Sequence, residues 1–528
     1  MPWNYGDLLE AVSNTVPPEW PAFIHGERTV AWGEAKLRMN NLARALIERG
    51  AKPGDKVAFY LRNSIEYTEA LGACFLARLT HVNVNYRYKP DEVRYILDNS
   101  DAQTLIYAPE FRDAVRQIHN QLPKVKTTIE VGPEYERIAT AGDGSPLGIE
   151  RSRDDQLFIY TGGTTGMPKG VIYAHGDLMQ LWFVRLHRTT GFMPESIPMF
   201  CAAVKMAPFQ PRTIPACPQM HGTGLITSMT TFLSGGCVIT VEGATFDAHA
   251  TWQAAAQHRA TGMAIVGDPF AKPLLHALDE APGRYDLSSM VGITSSGAMW
   301  SAEVKEGLIR HMPQAIMTDS FASTEAMGMG ISMSTKDGGT KTADFVLGEN
   351  AIVIDENDLP VEPGSGKAGL VAFGGALPLG YYKDEEKTAR TFRTIDGKRY
   401  SIPGDYAVVE ADGRLTLLGR GSNCINTAGE KVFPEEVEEA LKTHPSVEDA
   451  LVLGVPDAKW GQAVTGVVVL AGGSRFDEGD LRAHVRSQLA GYKTPKRILV
   501  AGVNLRAPNG KADYKSAAEF ARTALGIT

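Results

Sequence analysis

The sequence predicts an α/β protein with a large N-terminal domain of mainly parallel sheets flanked by helices. A small, mobile C-terminal α+β domain is expected to follow it. Three observations carry that expectation: strand and helix patterns alternate along most of the chain, a Gly/Thr run interrupts the alternation at 161–166, and the texture changes near residue 420. At 528 residues the chain is too long for one hydrophobic core. The boundaries read from it are an N-terminal domain at 1–419, a hinge at 420–422 and a C-terminal lid at 423–528.

The alternation is plainest between 56 and 107. Lys56–Leu61 reads as a strand and Ile65–Leu79 as a helix; His81–Asn85 follows as a short strand, Pro90–Asp98 as a helix opened by proline, and Gln103–Tyr107 as a strand. Strand–helix–strand units of this length imply crossovers on a largely parallel sheet. The pattern resumes around "RATGMAIVGDPF" and "MVGITSSGAMW". Before them, 187–220 carries six prolines and reads as a surface excursion, a place where an active-site lid can lie. Past 420 come a hairpin, a polar Gly-rich connector, a helix from Pro434, a strand at Ala450–Val455, and then a further strand and helix.

Composition excludes several classes. A hydrophobic share of 43% with 22% charged residues is that of an ordinary globular protein. A net charge of −8 argues against nonspecific nucleic-acid binding, which needs a basic face. Five cysteines without CxxC spacing suggest no zinc site and fit a reducing compartment. The N-terminus has no signal-peptide pattern, and no stretch of about 18 apolar residues exists, so a cytoplasmic location is expected.

The segment "IYTGGTTGMPKGV" (159–171) concentrates backbone freedom, hydroxyls and one fixed charge. Gly162, Gly163, Gly166 and Gly170 let backbone N–H groups approach a ligand closely. Successive N–H groups of that kind form an anion-binding concavity. Thr161, Thr164 and Thr165 add hydroxyls, and Lys169 adds a point charge suited to phosphate. A strand at Leu157–Tyr160 is expected before the loop and a helix from about Gly176 after it. The loop is not a Walker A motif, because Pro168 precedes the lysine and Gly170 follows it; nor is it G-x-G-x-x-G.

"YTGGTTGMPKGV" closely resembles the phosphate loop of the adenylate-forming superfamily, which includes acyl-CoA synthetases, luciferases of the firefly type and peptide-synthetase adenylation domains. Further motifs recur in the family's order over essentially the whole chain. The resemblance implies that "PQMHGTG" (218–224) lines the carboxylate site through His221, and that "SSGAMW" (295–300) contacts adenine through Gly297 and Ala298. "DSFASTEAMG" (319–328) resembles the Tyr-Gly-x-Thr-Glu signature, with Phe321 and Ala322 in place of Tyr and Gly. It implies nucleotide contacts from Ser320, Phe321, Ala322, Ser323 and Thr324, and a Mg²⁺ site at Glu325. Mg²⁺ prefers hard oxygen ligands and shares them with phosphates. "IPGDYA" (402–407) implies a ribose contact at Asp405, and "GRGSNCINTAGEKVFPEEVE" (419–438) implies a ribose or phosphate contact at Arg420 and a hinge at Ser422. Ser422 and Asn423 depart from the family's usual Asp or Lys followed by Asp.

The same resemblance makes Lys511 in "RAPNGKADY" the mobile catalytic lysine. It puts Ala428, Gly429, Glu430 and Lys431, with Tyr492 and Lys493, beside coenzyme A. The implied activity is that of an AMP-forming acid–thiol ligase using ATP, Mg²⁺ and CoA on a carboxylic acid, and a homodimer is compatible with it. The details of the motifs look most like actinobacterial synthetases for bulky steroid- or terpenoid-type acids, with Gly267, Gly297 and Ala322 forming a roomy pocket wall next to His221. The alternatives are a medium- or long-chain fatty acyl-CoA synthetase, and an acyl-AMP ligase that hands its product to a carrier protein.

Overall fold

A computed structural model of the chain describes residues 2–163, 166–339, 341–427, 430–457, 460–502, 504–507 and 510–527. The alternation read between 56 and 107 folds as strand Lys56–Tyr60, helix Ile65–Leu76, strand Thr80–Asn83, helix Pro90–Asn99 and strand Ala102–Tyr107. Ser64 caps the first of these helices by accepting from the Tyr67 N–H at 3.2 Å. Every residue of that helix is buried, which is why it shows no polar stripe.

The chain divides into two compact units. The first comprises Met1–Gly328, Met333–Gly339 and Gly374–Ser401. Two sheets organise it. One runs, in spatial order, Gly380–Tyr381, Gly166–Ala174, Gln156–Gly163, Thr80–Asn83, Lys56–Tyr60, Ala102–Tyr107 and Thr127–Glu130. Its last five members are parallel, and the strands at 166–174 and 380–381 join antiparallel. The other places Ile316–Ser323, Gly292–Ser296, Gly262–Ile265, Arg212–Pro215, Cys237–Thr240 and Pro21–His25 side by side in parallel, closed by Arg28–Ala31. Trp252, Trp300 and Leu274 fill the core over this second sheet, and Trp32, Phe59 and Phe75 belong to the core over the first.

The proline-rich stretch only partly matches the expected surface excursion. It holds helix Ile197–Met206, with Met206 and Phe209 exposed. Arg212–Pro215, however, is an interior strand of the second sheet, flanked on both sides by parallel partners. Pro215 sits at its C-terminal end, where its carbonyl accepts from the Asn63 Nδ2 at 2.9 Å.

The second unit comprises Met329–Ser332, Thr340–Phe373 and Ile402–Thr528. Strands Ala351–Ile354, Ala368–Phe373, Asp405–Val409, Arg414–Arg420 and Asp344–Leu347 pair antiparallel in that order. A further sheet contains Glu430–Val432, Ile425–Thr427, Gly461–Leu470 and Val447–Asp457, with Arg497–Val500 parallel to the third. In the long strand at 447–457, Ala450 and Val452 enter one core while Leu451, Leu453 and Val455 enter another. That two-sided burial explains why the segment reads as a continuous apolar run rather than an alternation.

Compactness does not divide the chain at 420. The hairpin Asp405–Arg420 groups with the C-terminal sheet, and its Tyr406 ring lies 5.3 Å from the Phe433 ring. A pivot for rotation at 420–422 is a separate property from compactness. Among the described residues no helix is long and apolar enough to cross a membrane.

Candidate active site

In the first unit the Gly/Thr segment is a hairpin tip. Thr161 pairs with Lys169 and Gly163 with Gly166, with an irregular register between 161 and 163. A bulge of this kind re-aims backbone groups next to a site. The helix expected from about Gly176 begins at His175, but the strand Gly166–Ala174 intervenes, so the loop does not open directly into a helix. Thr164 and Thr165 lie outside the described residues. Gly170 is required by packing, since a Cβ there would lie 2.7 Å from the Tyr160 ring.

Lys169 is held by Asp384, Nζ to Oδ2 at 2.7 Å. That hydrogen bond raises the lysine's pKa and lowers the aspartate's, so both stay charged. Asp384 also caps helix Glu385–Thr391 by accepting the Lys387 N–H, which fixes the carboxylate.

The remaining candidates of this unit gather where the parallel strands of the second sheet end. Ser295 is level with Ile265 and Asp319, and Ser296 is level with Ser320. Gly297 and Ala298 therefore follow one strand end, while Phe321, Ala322 and Ser323 close its neighbour. Gly267 follows Gly262–Ile265, and His221 follows Arg212–Pro215. The crevice outside the carboxyl ends of parallel strands is where open α/β sheets bind ligands. Phe321 is buried, and the Ser323 Oγ is a buried hydroxyl with no hydrogen-bond partner among the described residues, as suits a ligand contact.

Gly297 has φ +95°, the left-handed region that glycine tolerates. Gly267, at φ +56°, is a point of close backbone approach. A Cβ there would lie 2.3 Å from the Met299 carbonyl and 2.9 Å from the Ala298 carbonyl carbon. The space beside Gly267 is thus occupied by the 298–299 backbone.

Thr324 and Glu325 form the turn between strands Ile316–Ser323 and Ala326–Ser334. Tyr173, from the returning strand of the Gly/Thr hairpin, donates to the Thr324 carbonyl at 3.0 Å. Tyr381 donates to the Glu325 Oε1 at 2.7 Å. The short segment 381–384 therefore secures both charged candidates, Glu325 through Tyr381 and Lys169 through Asp384.

His221 adopts an extended conformation immediately before helix Gly222–Leu233, with its N–H donating to the Pro218 carbonyl at 3.1 Å. The preceding segment is pinned by amide side chains. The Asn63 Nδ2 donates to the carbonyls of Pro215 and Cys217, while the Asn83 Nδ2 donates to the Met220 carbonyl. Asn63, Asn83, Tyr173, Tyr381 and Asp384 were all missed in the sequence. A local signal existed only for Asn83, a polar residue of low β-propensity at the end of a buried strand.

The second unit carries the other candidates. Asp405 is buried and pairs across the hairpin with Arg420, Oδ1 to Nε at 3.3 Å. Ser422 lies in a single 3₁₀ turn, Gly421–Asn423. Ala428 and Gly429 lie outside the described residues; Glu430 and Lys431 open the strand Glu430–Val432. Tyr492 is 40% exposed, and Lys493 pairs with Glu436 at 2.5 Å. Lys511 is exposed, and its carbonyl accepts the Ala507 N–H at 2.8 Å. Arg506 is bound to Asp449 and Tyr514 to Glu438, which anchors the chain on both sides of the lysine.

Glu435 lies under this hairpin, with its Oε1 accepting from the Arg420 N–H at 3.4 Å. Burial, reinforced by the nearby Glu438, pushes its carboxyl pKa upward. Among the described residues no three His, Cys, Asp or Glu side chains form a metal cage.

Comparison with known proteins gives a consistent answer. Residues 9–382 match the family model described as AMP-binding enzyme, and 436–511 match its C-terminal domain. A 3-oxocholest-4-en-26-oate–CoA ligase of Rhodococcus rhodochrous is 41% identical over 536 residues, covering 98% of this chain and 95% of that one. A medium/long-chain-fatty-acid–CoA/3-oxocholest-4-en-26-oate–CoA ligase of Mycobacterium marinum is 40% identical, covering 98% and 96%. Among solved structures, ATP-bound MatB from Rhodopseudomonas palustris superposes with a TM-score of 0.83 at 24% identity, covering 99% of this chain and all of that one.

Proposed function

The chain belongs to the AMP-binding enzyme family, and from that premise we propose that it is an AMP-forming acid–CoA ligase for a bulky, hydrophobic carboxylic acid of steroid type. The observation that carries the reading is the phosphate hairpin tied to the Thr324–Glu325 turn by Tyr173, beside parallel strand ends. The near-full-length likeness to two steroid-acid ligases supports the substrate class.

A carboxylate is a poor electrophile at neutral pH, and attaching AMP gives its acyl carbon a good leaving group. The carboxylate oxygen attacks the α-phosphorus, the bond to the β-phosphate oxygen breaks, and pyrophosphate departs. Negative charge spreads over phosphoryl oxygens as this happens, so catalysis rests on positioning and a cationic clamp. Lys169 and the N–H groups of the 161–170 hairpin grip the polyphosphate. Asp405 accepts from the ribose hydroxyls, as an ionised carboxylate can. Lys511 supplies a second cation to the departing charge. Mg²⁺, when bound, neutralises phosphate charge. Glu325 fits it, because one of its oxygens is engaged by Tyr381 and a carboxylate has lone pairs for further ligands.

In the second half-reaction the CoA thiol attacks the acyl carbon and AMP leaves. We propose that the part of the chain beyond Ser422 rotates for this step, exchanging Lys511 for the 428–431 segment. A small hydroxyl residue tolerates the backbone change a hinge must absorb. A medium- or long-chain fatty acid is the second reading of the substrate, favoured by the dual name of the M. marinum relative.

The test is product analysis with ATP, CoA and a panel of steroid, terpenoid, fatty and aryl acids. AMP, pyrophosphate and a steroid acyl thioester are expected. ADP as the nucleotide product would end the reading, and adenylate formation without any thioester would favour transfer to a carrier protein.

A further inference from the structure

Asn83 closes the short buried strand Thr80–Asn83 and is only 3% exposed. Its side chain reaches two segments that are far apart in sequence. Nδ2 donates to the Tyr160 carbonyl at 2.9 Å, and Oδ1 accepts the Tyr160 N–H at 2.7 Å. The second N–H of the same amide donates to the Met220 carbonyl at 2.7 Å. Tyr160 precedes Thr161, the first residue of the phosphate hairpin's Gly/Thr run, and Met220 precedes His221. One planar amide is therefore stapled to the root of the polyphosphate-binding segment and to the root of the segment assigned to the carboxylate.

The neighbouring amides do not make that link. Asn63 binds Pro215, Cys217 and the Gln219 N–H; Gln219 binds Ser64, Thr68 and Ser228. Those contacts fix the 215–220 segment against the end of the strand Lys56–Tyr60 and two helices, none of them part of the phosphate hairpin. In-line attack needs the carboxylate oxygen and the α-phosphorus within near-attack distance, and a misplacement of about 1 Å costs on the order of 10²-fold in rate. A rigid amide with three buried hydrogen bonds is suited to hold such a separation, because each bond is expensive to leave unmade.

We propose that Asn83 is a positioning residue for adenylation: it sets the spacing between the phosphate hairpin and the His221 segment without touching either substrate. The proposal rests on the adenylating reading above.

The test compares native protein with Asn83→Asp and Asn83→Thr in the two half-reactions. Asp keeps the shape but places oxygen against the carbonyls of Tyr160 and Met220, while Thr keeps one donor in a smaller side chain. The expected result is a fall in acid-dependent ATP–pyrophosphate exchange of roughly 10- to 100-fold in kcat, with KM for ATP and acid shifted by less than about threefold. Thioester formation from supplied acyl-adenylate and CoA should stay within about twofold of native. Should Asn83→Asp fail to fold, the Asn83→Thr variant decides. Equal losses in both half-reactions would show a merely structural role and overturn the proposal, as would a change in KM alone or no change. Native protein that exchanges pyrophosphate with no acid at all would overturn the adenylating reading and this proposal together, and is told apart because no variant is needed to see it.

Discussion

Replacing Tyr381 by Phe removes one hydroxyl and little else. The ring is buried, lies 5.9 Å from the Phe392 ring and has the Lys387 Nζ 4.2 Å from its centroid, so its packing survives the change. What is lost is the hydrogen bond to the Glu325 Oε1 at 2.7 Å. Hydrogen bonds to charged groups contribute about 1.5–3 kcal/mol, against about 0.5–1.5 for neutral ones. At about 1.4 kcal/mol per tenfold in rate, full expression in the adenylation barrier corresponds to roughly a 10- to 100-fold loss. Glu325 is part-exposed and water can replace the phenol, so the lower end, about tenfold, is expected. The assay is steady-state ATP–pyrophosphate exchange with the acid, titrated with Mg²⁺, alongside thermal unfolding. The variant should need more Mg²⁺ for half-maximal exchange, recover part of its rate at high Mg²⁺, and unfold within a few degrees of native. Exchange and Mg²⁺ dependence indistinguishable from native would refute the claim that Tyr381 orients a metal-binding carboxylate.

Lys511→Ala should lower ATP–pyrophosphate exchange by roughly 10²–10³-fold, as loss of a preorganised electrostatic donor does, yet leave thioester formation from supplied acyl-adenylate largely intact. Ser422→Pro, which fixes φ, should do the reverse; full thioester formation in that variant would end the hinge proposal. Gly267→Ala should depress the unfolding temperature and activity on large and small acids alike, because its Cβ meets the 298–299 backbone at a positive φ. Selective loss of large acids only would instead point to Gly267 as a pocket wall. Glu435→Gln should flatten part of the pH dependence of stability. The buried carboxyl binds its proton more tightly in the folded state than the ordinary value of 4.5. Stability is therefore greatest with the acid protonated, below that value, and falls as rising pH forces the buried group to ionise. Thermal melts of native and variant across that window check it: identical slopes would count against the buried acid.

The crossover units were legible because each element announced itself locally. Pro90 opened one helix, Ser64 capped another, and the apolar runs were bounded by turn residues. The Gly/Thr loop was legible for its composition, though not as the tip of a hairpin, and the C-terminal sheet for its long apolar strand. Arg212–Pro215 was not, because a four-residue buried strand among prolines has no alternation to read. The strand Gly166–Ala174 was hidden by its own start, Gly-Met-Pro-Lys-Gly, which carries the punctuation of a loop.

The partners that fix the candidate site are separated by 56 residues for Tyr381 and Glu325 and by 137 for Asn83 and Met220. No local pattern encodes such contacts. The close backbone approach at Gly267 is hidden for the same reason, since whether a missing side chain leaves room or admits a backbone depends on what packs against it. The grouping of the 405–420 hairpin with the C-terminal sheet, where Tyr406 meets Phe433, is likewise not encoded locally.

The most direct test of acid activation through an adenylate is to follow an oxygen atom. A steroid acid carrying heavy oxygen in its carboxylate is turned over with ATP and CoA, and the nucleotide product is weighed by mass spectrometry. Attack of that carboxylate on the α-phosphorus predicts AMP carrying one heavy oxygen from the acid. Unlabelled AMP, or label recovered in inorganic phosphate, would contradict it.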